Sequence, residues 1–250
     1  MSYIYVLVIV ALFVLAFIVQ FHPVKSHAIT DDLYAVRTGF VNFYAYRTSE
    51  GIVLFDTGMS AGAAKRQLRK LGIDVKSVSH VILTHTDYDH AGGLAAFTDA
   101  KLYISANEVQ MINGETARRG FKENRKLTNF HKTPSSEPSK GGFLHNTLKK
   151  DFQTLAHREA LHIGDTSIEV RVTPGHTTGS AIYMIDDRYL VTGDLLRIPK
   201  GGSVQPFLWL MNRNHQELVN SLEGARAMIG KAEIVLSGHS GILRQNQIKE

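Results

Sequence analysis

Apolar residues in this chain fall into many short runs that end in glycine, aspartate or histidine, preceded by one long run at the N-terminus. Val36–Tyr46 and Ile52–Phe55 read as two strands joined by a turn at Ser49-Glu50-Gly51. Ser60 is placed to cap a helix whose apolar positions continue to Leu71, with Gly72 ending it. Val78–Leu83, which ends in the apolar run Val81-Ile82-Leu83, reads as a buried strand, and Lys101–Ile104 is another strand. Ala91–Phe97 and Asn107–Ile112 read as short helices. Ile168–Val172 alternates, and Ala181–Ile185 with Tyr189–Val191 forms a hairpin across Asp186-Asp187. His215–Ile229 repeats at helical spacing, and Glu233–Leu236 is the last strand. Residues 113–160 carry weak periodicity, with Pro134, Pro138 and Gly141-Gly142 interrupting them, and read as a long lid-like insertion.

The N-terminal run is of another kind. Tyr3–Val19 is seventeen consecutive apolar residues without a charge. As a helix it would extend about 26 Å, close to the ~30 Å hydrocarbon core of a bilayer. An interior helix would show a polar face, and this run has none. Residues 1–22 are therefore expected to be a single-pass anchor or a secretory signal cut after Ser26-His27-Ala28. The absence of Lys or Arg before the run favours the uncleaved anchor, with the rest of the chain on the extracytoplasmic side. Residues 33–245 are expected to form one domain, and deletion of residues 1–28 is expected to leave it soluble and active.

With 250 residues and 44% hydrophobic content the chain is large enough for one substantial core. It has no cysteine, which excludes disulfides, thiolate ligands and a cysteine nucleophile, so any bound metal takes only nitrogen and oxygen. The net charge of +5 is concentrated: Glu115–Arg158 holds ten lysines and arginines against four acidic residues. That segment reads as a solvated loop or as a steering patch for an anionic substrate or an acidic membrane surface. No recognition motif points to nucleic acid.

The chemistry is concentrated in His85-Thr86-Asp87-Tyr88-Asp89-His90, directly after the buried strand. Uncompensated buried charges cost several kcal/mol each, and a metal is the natural compensation. Three further strand ends carry a donor after a glycine: Pro174-Gly175-His176, Thr192-Gly193-Asp194 and Ser237-Gly238-His239. A turn glycine lets the backbone approach a crowded centre without a Cβ clash. The four motifs in this order point to a two-metal hydrolase. No G-x-S-x-G nucleophile motif is present.

On these motifs the chain resembles the metallo-β-lactamase superfamily over roughly residues 33–242. The resemblance implies an α/β four-layer αβ/βα sandwich. It implies a first metal held by His85, Asp87 and His176, a second by Asp89, His90 and His239, and Asp194 bridging both. Asp56 matches a supporting aspartate, and Asp89 and Asp194 are the expected catalytic groups. The family pattern has histidine where this chain has Asp87. The resemblance makes two zinc ions the first expectation, and the harder ligand set makes iron or manganese competitive. The implied activity is hydrolysis of a small ester, lactone, thioester, amide or phosphoester. A non-catalytic metal-binding sensor or scaffold, and a di-iron redox protein, are the alternatives.

Outside the metal set, Arg197, Lys200 and Tyr88 are candidate substrate contacts. Trp209, Phe207 and Leu208 read as core packing or a pocket wall. His22, His27, His80, His131, His145, His157, His162 and His215 fit no ligand spacing and read as surface or structural residues.

Overall fold

Two sheets stack face to face, each covered on its outer side by a helix. The structure is a computed structural model that describes residues 3, 5–8, 21–109, 152–200 and 202–245. The first sheet has the order β1 (His27–Ala28), β2 (Leu33–Thr38), β3 (Val41–Thr48), β4 (Gly51–Phe55), β5 (Val78–Ile82), β6 (Lys101–Ser105) and β7 (Phe152–Leu155). It is antiparallel from β1 to β4 and parallel from β4 to β7. Across its width the second sheet runs β15 (Ile242–Arg244), β14 (Ile234–Ser237), β11 (Tyr189–Gly193), β10 (Ala181–Ile185), β9 (Thr166–Val172) and β8 (Ala160–Ile163). Its β11–β14 pair is parallel and its other pairs are antiparallel. A small ribbon, β12 (Leu196–Arg197) with β13 (Gln205–Pro206), lies apart from both sheets.

Three apolar clusters account for the layers. Between the sheets, Tyr44, Tyr46 and Phe55 meet Tyr183, Tyr189 and Leu236. On the outer face of the first sheet, helix α1 (Ala61–Lys70) seats Ala64 and Leu68 against Val36, Leu54 and Val81. The Ser60 hydroxyl caps it by accepting from the Ala63 N–H, and Gly72 leaves it at φ 74°. Truncating buried Leu68 to alanine would cost about 2–5 kcal/mol. On the outer face of the second sheet, helix α3 (His215–Lys231) buries Leu218, Leu222, Ala225, Met228 and Ile229, one stripe at helical spacing. The expected αβ/βα sandwich is the observed architecture, and β10, β11 and β14, covered on both faces, are buried throughout.

Several local expectations need correction. The expected strand 36–46 is parts of two strands, because Gly39 at φ 63° and Phe40 turn the chain and pair Thr38 with Val41. The expected helix 91–97 is a short helix α2 (Tyr88–Ala91) followed by a 3-10 turn at Leu94–Ala96. The expected helix 107–112 is described only to Val109, where a 3-10 turn at Ala106–Glu108 leads into a helical Val109, and residues 110–112 lie outside the described residues. Strands β7 and β8 fall in and just past the expected insertion, where each buries one large apolar residue, Leu155 or Ile163, too few for a visible alternation. The basic remainder, residues 110–151, lies outside the described residues.

Residues 21–28, ahead of the expected 33–245 domain, are built into it. Phe21 is buried, Asn42 exchanges hydrogen bonds with both backbone groups of Val24, and β1 pairs with β2. Cutting after Ala28 would remove these contacts, so the expected harmless deletion of residues 1–28 does not fit the fold. Most of the apolar run, residues 4 and 9–20, lies outside the described residues. Among the described residues no helix is long and apolar enough to cross a membrane.

Candidate metal centre

The donors sit where strands end. Asp56 follows β4, His85–His90 follow β5 and include α2, Asp194 follows β11, and His239 lies two residues beyond β14. The β4–β5 and β11–β14 pairs are the parallel pairs at the middle of each sheet, so their C-terminal ends open toward one edge of the sandwich. His176 reaches the same edge from the loop after β9. That loop is pinned by α3: Asn214 N–H donates to Gly175 O at 2.8 Å and Ser221 Oγ donates to Pro174 O at 2.7 Å.

Seven side chains converge. His176 Nε2 is 3.3 Å from Asp87 Oδ2 and 3.4 Å from Asp194 Oδ2. His85 Nε2 lies 3.7 and 3.9 Å from the same two oxygens. His239 Nε2 is 3.2 Å from Asp89 Oδ2 and 3.3 Å from Asp194 Oδ2, and His90 Nε2 is 3.3 Å from Asp194 Oδ1. His85, Asp87 and His176 form one compact donor group, and Asp89, His90 and His239 another, with Asp194 against both.

These spacings decide between an ordinary ion-pair network and a metal site. Metal–ligand bonds of 2.0–2.2 Å at tetrahedral angles put ligand atoms roughly 3.3–3.6 Å apart. The observed 3.2–3.9 Å straddles that range. His90 Nε2 also faces His239 Nε2 at 3.3 Å, and buried His85 Nε2 has no hydrogen-bond partner among the described residues. Imidazole nitrogens turned toward one another in a buried site call for a cation between them. The other face of each ring is held from outside. Nδ1 of His90 meets Asp56 Oδ2 at 2.8 Å, His239 meets Phe40 O at 2.8 Å, His176 meets Asn212 Oδ1 at 3.1 Å and His85 meets Thr84 Oγ1 at 2.9 Å. Anchoring Nδ1 directs Nε2 inward, as in sites built for metals. The residues present therefore fit a pair of divalent cations.

Protons take the place of cations in the electrostatics of the bare protein. Burial pulls His239 down, but Asp194 and Asp89 overcome it and carry the imidazole up to about 9. His90 is likewise raised against burial by Asp194, Asp56 and Asp89, and His176 by Asp87 and Asp194. His85 goes the other way: burial, reinforced by charge on His90, pushes it down to about 3. Asp194 is held well below the carboxylate range by His239 and His90 despite its burial.

A family model described as the metallo-beta-lactamase superfamily matches residues 36–239. The chain belongs to the metallo-beta-lactamase superfamily. A probable metallo-hydrolase of Mycobacterium tuberculosis is 28% identical over 170 residues, 56% of this chain and 50% of the relative. The chain thus spans about half the length of that relative. YobT of Bacillus subtilis is 29% identical over 220 residues, 82% of this chain and 84% of YobT. The crystal structure of a metallo-beta-lactamase family protein from Thermus thermophilus aligns with a TM-score of 0.63 at 23% identity, over 88% of this chain and 77% of that one, a likeness of fold.

Around this superfamily centre stand supporting residues, some expected from the sequence and some not. Asp56 was expected as a support, and it stands at φ 66°, accepting from the Thr84 N–H and hydroxyl while it meets His90. Such a backbone is costly outside glycine and is kept where the surroundings fix it. Glu108 was not singled out. Its buried carboxylate accepts from the Thr86 N–H and hydroxyl at 2.9 and 2.8 Å, and from the Thr177 hydroxyl and Gly179 N–H at 2.7 and 3.0 Å. It thereby ties the His85–His90 loop to the His176 loop. Burial pushes its carboxyl up while the Thr177 and Thr86 bonds hold it down. Gly238 is held small: a Cβ there would stand 2.7 Å from Asp194 Oδ1 and 2.9 Å from His90 Cε1.

The second-metal side carries an aromatic wall. Phe40 and Phe207 stack on the His239 ring at 5.7 and 5.5 Å, and Phe21 meets it edge-on at 4.8 Å. Phe207 also meets His176 at 5.3 Å, so it lines the centre as well as joining the core cluster. Of the remaining candidates, Tyr88 is exposed between Asp87 and Asp89, Arg197 is half-buried on β12 and Lys200 is exposed beyond it. His22, read as structural, donates its backbone N–H to His239 O at 3.0 Å.

Proposed function

We propose that this protein is a binuclear metallo-hydrolase acting on a small molecule with an ester, lactone, thioester, amide or phosphoester bond. The observation that carries the reading is the inward turn of four Nε2 atoms onto three carboxylates, with every Nδ1 occupied outside. His85, Asp87 and His176 would hold one cation, Asp89, His90 and His239 the other, and Asp194 both. When bound, such a pair supplies Lewis acidity and water ionised near neutral pH. Asp87 adds a negative oxygen where a neutral imidazole would leave the first cation more acidic. Zinc is the leading candidate, and iron or manganese gain from the oxygen-rich set.

Asp89 is the most open of the three carboxylates, its side chain 18% exposed against 8% for Asp87 and 4% for Asp194. Without metal, His90 and His239 hold it below the usual range against its burial, which favours the ionised carboxylate. It is placed to accept a proton from water and return it to the leaving atom. Phe21, Phe40 and Phe207 keep bulk water from the His239 side, where a low dielectric strengthens each charge interaction. Arg197 and Lys200 are the candidate contacts for an anionic substrate. The complete donor set disfavours a sensor that has lost catalysis.

Residues 3–19 are proposed to anchor the chain in a bilayer, with the domain on the extracytoplasmic side. Tyr3, Tyr5, Val6, Leu7 and Val8 support this by standing exposed. Solubilisation of the full chain by detergent but not by alkaline carbonate would agree. Carbonate release would contradict the anchor. The activity is tested with a panel of these ester and amide classes on the full chain, reconstituted with zinc, iron or manganese. Turnover that requires metal is expected, and none with any of the three would overturn the hydrolase reading.

A further inference from the structure

Large hydrophobic side chains left exposed on a folded domain mark a contact surface when they gather in one place. Among the described residues from 21 onward they are Phe40 at 38%, Tyr88 at 47%, Trp209 at 65% and Leu210 at 55%. All four belong to the loops that build the metal centre. The Phe40 carbonyl orients His239, and its ring stacks on that histidine. Tyr88 stands between Asp87 and Asp89. Trp209 and Leu210 fill the stretch between Phe207, which packs on His176 and His239, and Asn212, which holds His176 Nδ1. A domain that buries its apolar residues elsewhere thus exposes them around the mouth of its candidate active site.

The route of the chain supplies the occupant. The uncharged run Tyr3–Val19 ends two residues before Phe21, whose ring meets His239 at 4.8 Å. Two residues reach at most about 7 Å. Wherever the run is seated, the rim of the metal centre is held beside it. A bilayer that takes up the run therefore lies close to this rim. Trp and Tyr at the rim suit the interfacial zone, where their rings favour the boundary between headgroup and acyl chain.

We propose that Phe40, Tyr88, Trp209 and Leu210 form a lipid-contact surface that seats the mouth of the centre on the bilayer. The substrate is then an amphiphile whose acyl chain remains in the membrane while its hydrolysable head reaches the metal site. This rests on the hydrolase reading and on the anchoring of residues 3–19, and it names the substrate class for both.

Trp209 is the only tryptophan in the chain, so its fluorescence reports on the rim without background. The full chain is reconstituted in phosphatidylcholine nanodiscs with and without brominated acyl chains. The expected result is loss of most Trp209 emission to the brominated lipid, with little quenching by aqueous iodide, and relief of the lipid quenching in Leu210→Glu. Strong iodide quenching with none from brominated lipid would overturn the proposal. So would shielding from iodide that depends on protein concentration rather than lipid, which would mark an interface between copies. On the same nanodiscs, a long-chain ester held in the bilayer is expected to have a higher kcat/KM than its short-chain soluble counterpart. A preference for the soluble ester overturns the substrate class. Brominated-lipid quenching without turnover of any substrate supports the contact surface and removes the hydrolase reading instead.

Discussion

Glu108 gives the sharpest test of how the fold holds the centre together. Its Oε1 serves two donors on Thr86, between His85 and Asp87, and its Oε2 serves Thr177, next to His176, and Gly179. Glu108→Gln keeps the shape and one acceptor oxygen. The amide nitrogen then faces a donor pair, of which the hydroxyl can turn away and the backbone N–H cannot. One buried N–H loses its acceptor, a cost of about 1–3 kcal/mol. Glu108→Ala strands a backbone N–H on each loop, Thr86 and Gly179, and costs about 2–6 kcal/mol by the same rule. For a chain of this size each kcal/mol lowers Tm by about 2–4 °C. The loss also uncouples two ligand-bearing loops, so metal affinity falls in the same order, Gln before Ala. Urea unfolding with and without metal, alongside chelator competition, measures both effects. An alanine variant within about 0.5 kcal/mol of the parent, the range of an ordinary surface change, with metal affinity intact would refute the coupling.

Gly238→Ala pushes a methyl onto Asp194 Oδ1 and His90, and overpacking of this kind costs about 1–3 kcal/mol. Metal affinity is expected to fall roughly 5- to 150-fold in chelator competition, and an unchanged affinity would show that the Asp194 position is not critical. His90 and His239 carry values raised well above the ordinary imidazole range without metal, and His176 is raised as well, so ligation must remove protons that the metal-free site holds. Metal uptake is therefore expected to release protons and weaken as the pH falls. Calorimetry in buffers of different ionisation enthalpy checks this, and buffer-independent heats would contradict it. Deletion of residues 1–28 removes Phe21 from His239, the His22 and Val24 hydrogen bonds and β1. It is expected to cost roughly 3–7 kcal/mol relative to deletion of residues 1–20 alone. Equal stability of the two in urea would show that the Phe21 strap contributes nothing.

The donor positions were legible because each ends an apolar strand, and a strand end is a local pattern. His85, Asp194 and His239 could be placed at one sheet edge from runs such as Val78–Leu83 and Glu233–Leu236 alone. The Asp186-Asp187 hairpin was legible too, both residues standing at positive φ as the tight turn demands. What the pattern hid depends on tertiary contact. Glu108 lies at the end of β6 with no neighbouring motif, and only the fold brings Thr86 and Thr177 to it. Asn212 orients His176 across 36 residues of chain. Phe21 read as the tail of an apolar run because nothing local shows that it turns onto His239. Gly39 carried a missed local signal, a glycine at a two-residue turn, with β-favouring residues on both sides of it.

The account's central claim is that seven side chains hold a pair of cations in one pocket, with Asp194 common to both. Elemental analysis of the purified full chain, repeated on Asp194→Ala after equal metal loading and dialysis, measures this most directly. Two equivalents of divalent metal in the parent, and loss of most of both in the variant, are predicted. A parent that retains no metal, or a variant that keeps both equivalents, would contradict the claim.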